Sequence, residues 1–176
     1  MQSVYKQNCI SCKLDDQDEK NRTFYEDDLC KAVLRTDNQC WLGRFIIIPK
    51  LHLDPLDFWI HPISEHVMRV YTKCAKMLIE ILGATCVQMA QLGSLTLDQN
   101  NNPTYDQRYQ HTHIHGIPRY AITPVFRDKE YPDPQFINGK FSALNLDPNA
   151  GLPKVVPTLE DIVLLVDLFK SRLKDT

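Results

Sequence analysis

The segment QHTHIHGIPRY, Gln110 to Tyr120, places histidines at positions 111, 113 and 115, half of the six in the chain. That strict alternation constrains the fold more than any other feature. A β-strand sends every second side chain to the same face, so His111, His113 and His115 share one face while Thr112 and Ile114 face the other. Ile114 is a natural core residue. The histidine face is then left partly open to solvent or lines a pocket. Three protonated rings at intervals of roughly 7 Å would crowd positive charge. The arrangement makes sense facing an anion, a metal, or both.

The rest of the chain limits what that strand can serve. At 176 residues the chain is long enough for one domain with a real core. A formal charge of −2 argues against coating a duplex, so no stable nucleic-acid complex is expected. No apolar run approaches the roughly 18 residues of a membrane helix, and MQSVYKQNCI lacks the apolar centre of a secretory signal. The expected setting is the cytoplasm, with the nucleus as the alternative, and no membrane partner is expected. There are six cysteines, and a chain of this size without a signal more often keeps thiols reduced or metal-bound than oxidised. Cys74 and Cys86 lie in apolar segments and read as core packing.

Periodicity gives an α+β pattern. Cys30 to Asp37 and Gly43 to Lys50 read as strands, the second carrying three consecutive isoleucines. A long helix is expected from a Ser64 cap to Gly83, with Val67, Val70, Tyr71, Cys74, Met77, Leu78 and Ile81 forming one buried stripe. Ala84 to Leu97 reads as a further strand, and Asp98 to Gln107 as a polar loop. From Pro124 to Pro157 the chain is rich in Pro, Asp and Gly and is expected to wrap the surface as extended loops. Thr158 opens a final helix with Glu160 and Asp161 at its positive end and Lys170, Arg172 and Lys174 at its negative end. His61 and His66 have no motif partner and read as surface or helix-start residues. Trp41 and Trp59 could stack on a base, although aromatic residues near a sheet are more often core.

The segment HTHIHGIPR resembles the defining motif of the histidine triad (HIT) family. Three further pieces are similar to that family in order and spacing: CISCK (Cys9 to Lys13), FYEDDLCKAVL, and LGRFIIIPKLH, which ends in Pro-Lys-x-His. The resemblance spans about residues 9 to 120, with 121 to 176 as an extended C-terminal region and helix of one 1–176 domain. It implies an α+β meander with a five-stranded antiparallel sheet, a long helix and a C-terminal helix. It also implies a homodimer, and a nucleotide bound with its α-phosphate over the histidine strand.

On that resemblance the site residues take roles. His113, the middle histidine, would attack the α-phosphate, and a neutral imidazole is a competent nucleophile near neutral pH. His115 would stabilise charge as the leaving group departs, and Gln107 matches the family's glutamine at the phosphate bridge. Asp37 could bind a ribose hydroxyl by analogy. Arg108 stands where the family often has Ser or Thr, and either replaces that hydroxyl as a cation that favours a longer polyphosphate or faces solvent. Arg44 stands after Gly43 where the family often has a further histidine.

Cys9 and Cys12 form a Cys-x-x-Cys, which is the common half of a tetrahedral zinc site but also serves redox motifs. In some HIT relatives such a pair carries zinc, completed by the histidine of Pro-Lys-x-His and the first triad histidine. The matching residues are His52 and His111. Four protein ligands would make a closed, structural Zn2+ site.

The implied activity is hydrolysis of dinucleoside polyphosphates, in the manner of a diadenosine tetraphosphate hydrolase, or of related nucleotide conjugates, through a nucleotidyl-histidine intermediate. Two alternatives share the site. One is a nucleotidyltransferase that uses phosphate as acceptor, and the other is a zinc-stabilised module that binds nucleotides without turnover.

Overall fold

The computed structural model describes residues 17–35, 41–91, 95–97, 103–105, 111–133, 136–137, 140–141 and 155–174. Its centre is a five-stranded antiparallel sheet. After helix α1 (Gln17–Arg22) come β1 (Thr23–Glu26), β2 (Cys30–Leu34) and β3 (Phe45–Pro49). Helices α2 (Pro55–Ile60) and α3 (Ile63–Leu82) follow, then β4 (Cys86–Gln91). A small hairpin of β5 (Leu95–Leu97) and β6 (Pro103–Tyr105) precedes β7 (Ile114–Arg119). β7 inserts between β3 and β4, giving the order β1-β2-β3-β7-β4. Two short hairpins, β8 (Val125–Phe126) with β9 (Lys129–Glu130) and β10 (Phe136–Ile137) with β11 (Lys140–Phe141), lead to helix α4 (Leu159–Lys174). The α+β meander with a long helix and a C-terminal helix is thus the observed architecture.

Register sorts the side chains into two faces. Ile114 stands opposite Ile47, and Gly116 opposite Phe45. Ile47 is paired in turn with Ala32, and Phe45 with Leu34. These residues make the core face, against which α3 buries Val67, Val70, Tyr71, Cys74, Met77 and Leu78. His115 stands opposite Ile46, itself opposite Val33, on the face away from α3. Val33, Ile46 and Ile48 form a second small apolar cluster there. The period-two argument holds within the ladder, where Ile114 and His115 face opposite sides. That ladder begins at Ile114, so His111 to His113 precede the strand as a lead-in. Thr112 pins that lead-in to Leu53, donating through its N–H at 2.8 Å and its hydroxyl at 3.0 Å to the same carbonyl.

Other expectations need correcting. α3 starts at Ile63, not after a Ser64 cap; Pro62 holds the cap position without a side-chain bond, and Ser64 Oγ donates to the His61 carbonyl from within the first turn. His61 supplies the missing acceptor, taking the Ile63 N–H on Nδ1. Gly83 does end the helix, with φ of 68° in the left-handed region. The strand expected over Ala84 to Leu97 is two strands, and the polar loop that follows contains β6. In the tail, Arg127 and Asp128 both take positive φ, as a two-residue turn between twisted strands requires. Thr158 caps α4 reciprocally: its hydroxyl accepts from Asp161 N–H, and the Asp161 carboxylate accepts from Thr158 N–H.

Candidate functional site

Each triad histidine is held by a different neighbour. His111 is 2% exposed, and its Nε2–H donates to the Pro49 carbonyl at the end of β3, at 2.8 Å. Its ring lies edge-to-face against His52, with centroids 4.8 Å apart. Burial pushes its pKa down to about 4, outweighing the bond to Pro49. His113, half-buried, donates from Nδ1–H to the carbonyl of His111 at 3.1 Å. That bond fixes the tautomer and leaves the lone pair on Nε2. Burial lowers its pKa, and the charges of Arg35 and Arg44 act in the same direction, so the ring is neutral at neutral pH.

His115 is 4% exposed and lies edge-to-face on His113, with ring centroids 4.9 Å apart. Its Nδ1 meets Nη2 of Arg44 at 3.0 Å. Burial first, then the charges of His113, Arg44 and Arg35, hold its pKa far below the ordinary imidazole range. The site is thus two neutral imidazoles, one of them bonded by the Arg44 guanidinium and both under the charge of Arg35, with His115 on the sheet face away from α3. Such a place suits a bound anion, because fixed cations act there in a partly desolvated setting.

Arg44 reaches this place through a tight turn. Arg44 N–H donates to the Trp41 carbonyl at 3.1 Å, and Gly43 takes φ of 81°. A side chain at Gly43 would collide with Leu78 and Leu82 of α3, so the turn sits hard against the helix. Tyr120, just past β7, donates its hydroxyl to the Leu42 carbonyl at 2.6 Å. The Arg44 guanidinium lies 5.8 Å from the Trp41 ring, which is a core residue.

The structure brings together His52 with His111, and His113 with His115. Cys9, Cys12, Asp37, Gln107 and Arg108 lie outside the described residues. Arg35 went unnoticed in the sequence, although its place at the end of β2 beside the Arg44 backbone (Arg35 N–H to Arg44 carbonyl, 2.9 Å) puts it next to the triad. The signal was there in register: Leu34 pairs with Phe45, so the residues beyond that pair meet.

A second cluster, Asp27, Cys30 and His66, has ligand-type atoms within 4.8 Å of one another. Its bonding is that of a structural hub. The Asp27 carboxylate accepts from Tyr25 hydroxyl, Leu29 N–H and Cys30 N–H, and bonds His66 Nε2 at 2.7 Å. Burial pushes the Cys30 thiol up to about 12.

The model of the HIT domain family matches residues 16–122. Adenylylsulfatase HINT3 of Arabidopsis thaliana is 32% identical over 117 residues, which cover 66% of this chain and 55% of that protein. The chain therefore spans about half the length of this relative. A hypothetical histidine triad nucleotide-binding protein of Sulfolobus tokodaii shares the fold with a TM-score of 0.55 at 19% identity, over 95% of this chain and 93% of that one. A Zn-bound histidine triad family protein of Mycobacterium smegmatis gives 0.54 at 18% identity, over 95% and 96%. At these identities the structural likeness is one of fold.

Proposed function

This chain belongs to the HIT domain family, and from that premise we propose that it is a nucleotide hydrolase. It cleaves dinucleoside polyphosphates or related nucleotide conjugates at the α-phosphate, through a nucleotidyl intermediate on His113. One observation carries this reading. The His111 carbonyl accepts a hydrogen bond from Nδ1–H of His113, so Nε2 is the unprotonated nitrogen of a neutral ring. As Nε2 bonds to phosphorus, the ring gains positive charge, and its Nδ1–H already faces a carbonyl that stabilises it. His115 would meet the phosphate, and the charges of Arg35 and Arg44 act on the rings of His113 and His115. Gln107 and Arg108 would meet the polyphosphate bridge, and Asp37 the ribose. The Arabidopsis relative, named an adenylylsulfatase, supports chemistry at a nucleotide conjugate.

We assign a structural Zn2+ to Cys9, Cys12, His52 and His111. Two observations support the fit. His52 and His111 are buried side by side, and His111 spends Nε2–H on a backbone carbonyl, the second contact typical of a metal-binding histidine. The metal would tie the segment around Cys9 and Cys12 to the lead-in of β7. We place the protein in the cytoplasm, supported by the free thiols of Cys30, Cys74 and Cys86, and read it as a homodimer. β4 is an edge strand with Met89 half-exposed, which suits continuation of the sheet into a second copy. Among the described residues no helix is long and apolar enough to cross a membrane.

The test is product identity. The purified protein is incubated with diadenosine tetraphosphate, an adenosine phosphoramidate and a nucleotide sugar, with and without added phosphate. Release of a nucleoside monophosphate independent of phosphate supports the hydrolase. A nucleoside diphosphate formed only with phosphate would make it a transferase, and binding without any product would make it a binding module.

A further inference from the structure

The contact between Arg44 and His115 fixes more than position. Arg44 is 1% exposed, and its Nη2 lies 3.0 Å from His115 Nδ1. A guanidinium carries donors only and keeps its proton throughout the working pH range. Nδ1 of His115 must therefore accept, and the single proton of the ring sits on Nε2. A doubly protonated ring would set N–H against N–H across this contact, so the bond and the imidazolium exclude each other. His115 Nε2 is itself buried and meets no hydrogen-bond partner among the described residues. An unspent donor is thus held beside His113, whose Nε2 bears the lone pair. Among the described residues, the titratable and charged neighbours of His115 are His113, Arg44 and Arg35. None of them is an acid that could pass it a second proton.

A neutral imidazole N–H is a good hydrogen-bond donor and a very poor acid. That difference separates two kinds of leaving group. When His113 Nε2 attacks the α-phosphorus of an anhydride, a P–N bond forms and the P–O bridge bond breaks. The bond's electron pair stays on the bridging oxygen, which departs as a stable oxyanion and needs only a hydrogen bond. When the bond broken is P–N of a phosphoramidate, the electron pair stays on nitrogen, and the amine must gain a proton to leave. In the second step, water attacks phosphorus, the P–N bond to His113 breaks, its electrons return to the ring, and the water proton passes to solvent.

We propose that Arg44 is a positioning and specificity-determining residue that fixes His115 as an Nε2–H donor, and so directs the site to phosphoanhydrides, including mixed anhydrides with sulfate, over phosphoramidates. This rests on the hydrolase reading above. Arg44 itself touches His115 and not the reacting atoms.

Two measurements test it. Nitrogen-15 NMR of the histidine rings, with the His115 signals assigned by their loss in His115→Asn, should show the Nε2–H tautomer at neutral pH. In Arg44→Met that signature should move toward a tautomer mixture or the protonated ring. In parallel, kcat/KM is compared for diadenosine tetraphosphate, adenosine 5′-phosphosulfate and adenosine phosphoramidate. The wild-type protein should prefer the anhydrides by about 100-fold, the scale of a missing general acid. Arg44→Met should narrow that ratio by about 10-fold or more, and Arg44→Lys, which retains a permanent donor, should keep more of it. A wild-type ring carrying its proton on Nδ1 or on both nitrogens, or a wild-type protein that cleaves the phosphoramidate as fast as the anhydrides, overturns the proposal and leaves the hydrolase standing. An absence of turnover on every substrate overturns the hydrolase reading and the substrate preference with it.

Discussion

His113 and His115 touch ring to ring, yet their hydrogen bonds give them opposite tasks. His113 spends its proton on the His111 carbonyl and presents a lone pair. His115 spends its lone pair on Arg44 and presents a proton. Equal substitutions should therefore have unequal effects. His113→Asn removes the nucleophile and the covalent route, worth on the order of 5 kcal/mol or more in barrier. His115→Asn removes one stabilising donor, worth about 3–4 kcal/mol by analogy with a lost oxyanion donor. Steady-state kinetics should show the larger fall in kcat for His113→Asn, while nucleotide binding, measured by calorimetry, survives in both. Equal losses would mean that the two rings act as one unit. At this scale the sequence was legible where alternation carried the meaning: His113 and His115 stand together as their spacing implied. It was not legible where a partner came from another strand. Nothing in QHTHIHGIPRY shows that His115 leans on Arg44, because that contact joins β7 to the turn before β3.

Among the elements, β7 depends on a glycine in its middle. The Phe45 ring of β3 lies directly over Gly116, and a Cβ there would run into it. Gly116→Ala must displace Phe45, which is fully buried and stacked edge-on against Phe24. Overpacking of this kind costs about 1–3 kcal/mol. Urea unfolding of Gly116→Ala should show a lower midpoint at unchanged slope, and turnover should fall as well because His115 is the neighbouring residue. A midpoint equal to wild type would mean that the ring has room to move. Elements with strong periodicity were legible: the isoleucine strand, the stripe of α3 and the ends of α4 lie where their patterns indicated. The start of α3 was less so. Ser64 is a good capping residue by type, but His61 and Pro62 made the turn before it. The hairpin of β8 and β9 was hidden because its turn uses Arg127 and Asp128 where Gly or Asn is the usual sign.

Across the whole molecule, the buried histidines link stability to pH. Burial lowers His111 to about 4 and holds His115 lower still, whereas in the unfolded chain both return to about 6.5. Below pH ~6.5 the unfolded chain binds protons that the folded chain refuses, so stability rises with pH there. Their contribution is fully present above that value and is lost as pH falls toward 4 and beyond. Denaturation midpoints of metal-free protein should be level between pH 7 and 8 and decline steadily below about 6.5, with a shallower decline in His115→Asn. A flat profile down to pH 4 would mean that these rings are protonated in the folded state. The zinc assignment predicts about one Zn2+ per chain in protein purified without chelators, lost on Cys9→Ser with Cys12→Ser along with part of the melting temperature. Metal analysis showing no zinc would contradict it. The tail was the least legible part of the sequence. Asp133 is fully buried and bonds Arg119, Tyr120 N–H and Trp41, joining the region after β7 to the sheet. Such a joint spans 92 residues between Trp41 and Asp133, and no local pattern announces it.

The central claim is that His113 carries the nucleotidyl group. Its most direct test is brief mixing of the protein with diadenosine tetraphosphate labelled at the α-phosphate, followed by quenching in base and in acid. Label should attach rapidly to the wild-type chain, survive base, be released by acid as expected of a phosphorus–nitrogen bond, and map to the peptide containing His113. It should be absent from His113→Asn. Turnover of the substrate at near wild-type rate by His113→Asn, or label recovered on another residue, would contradict it.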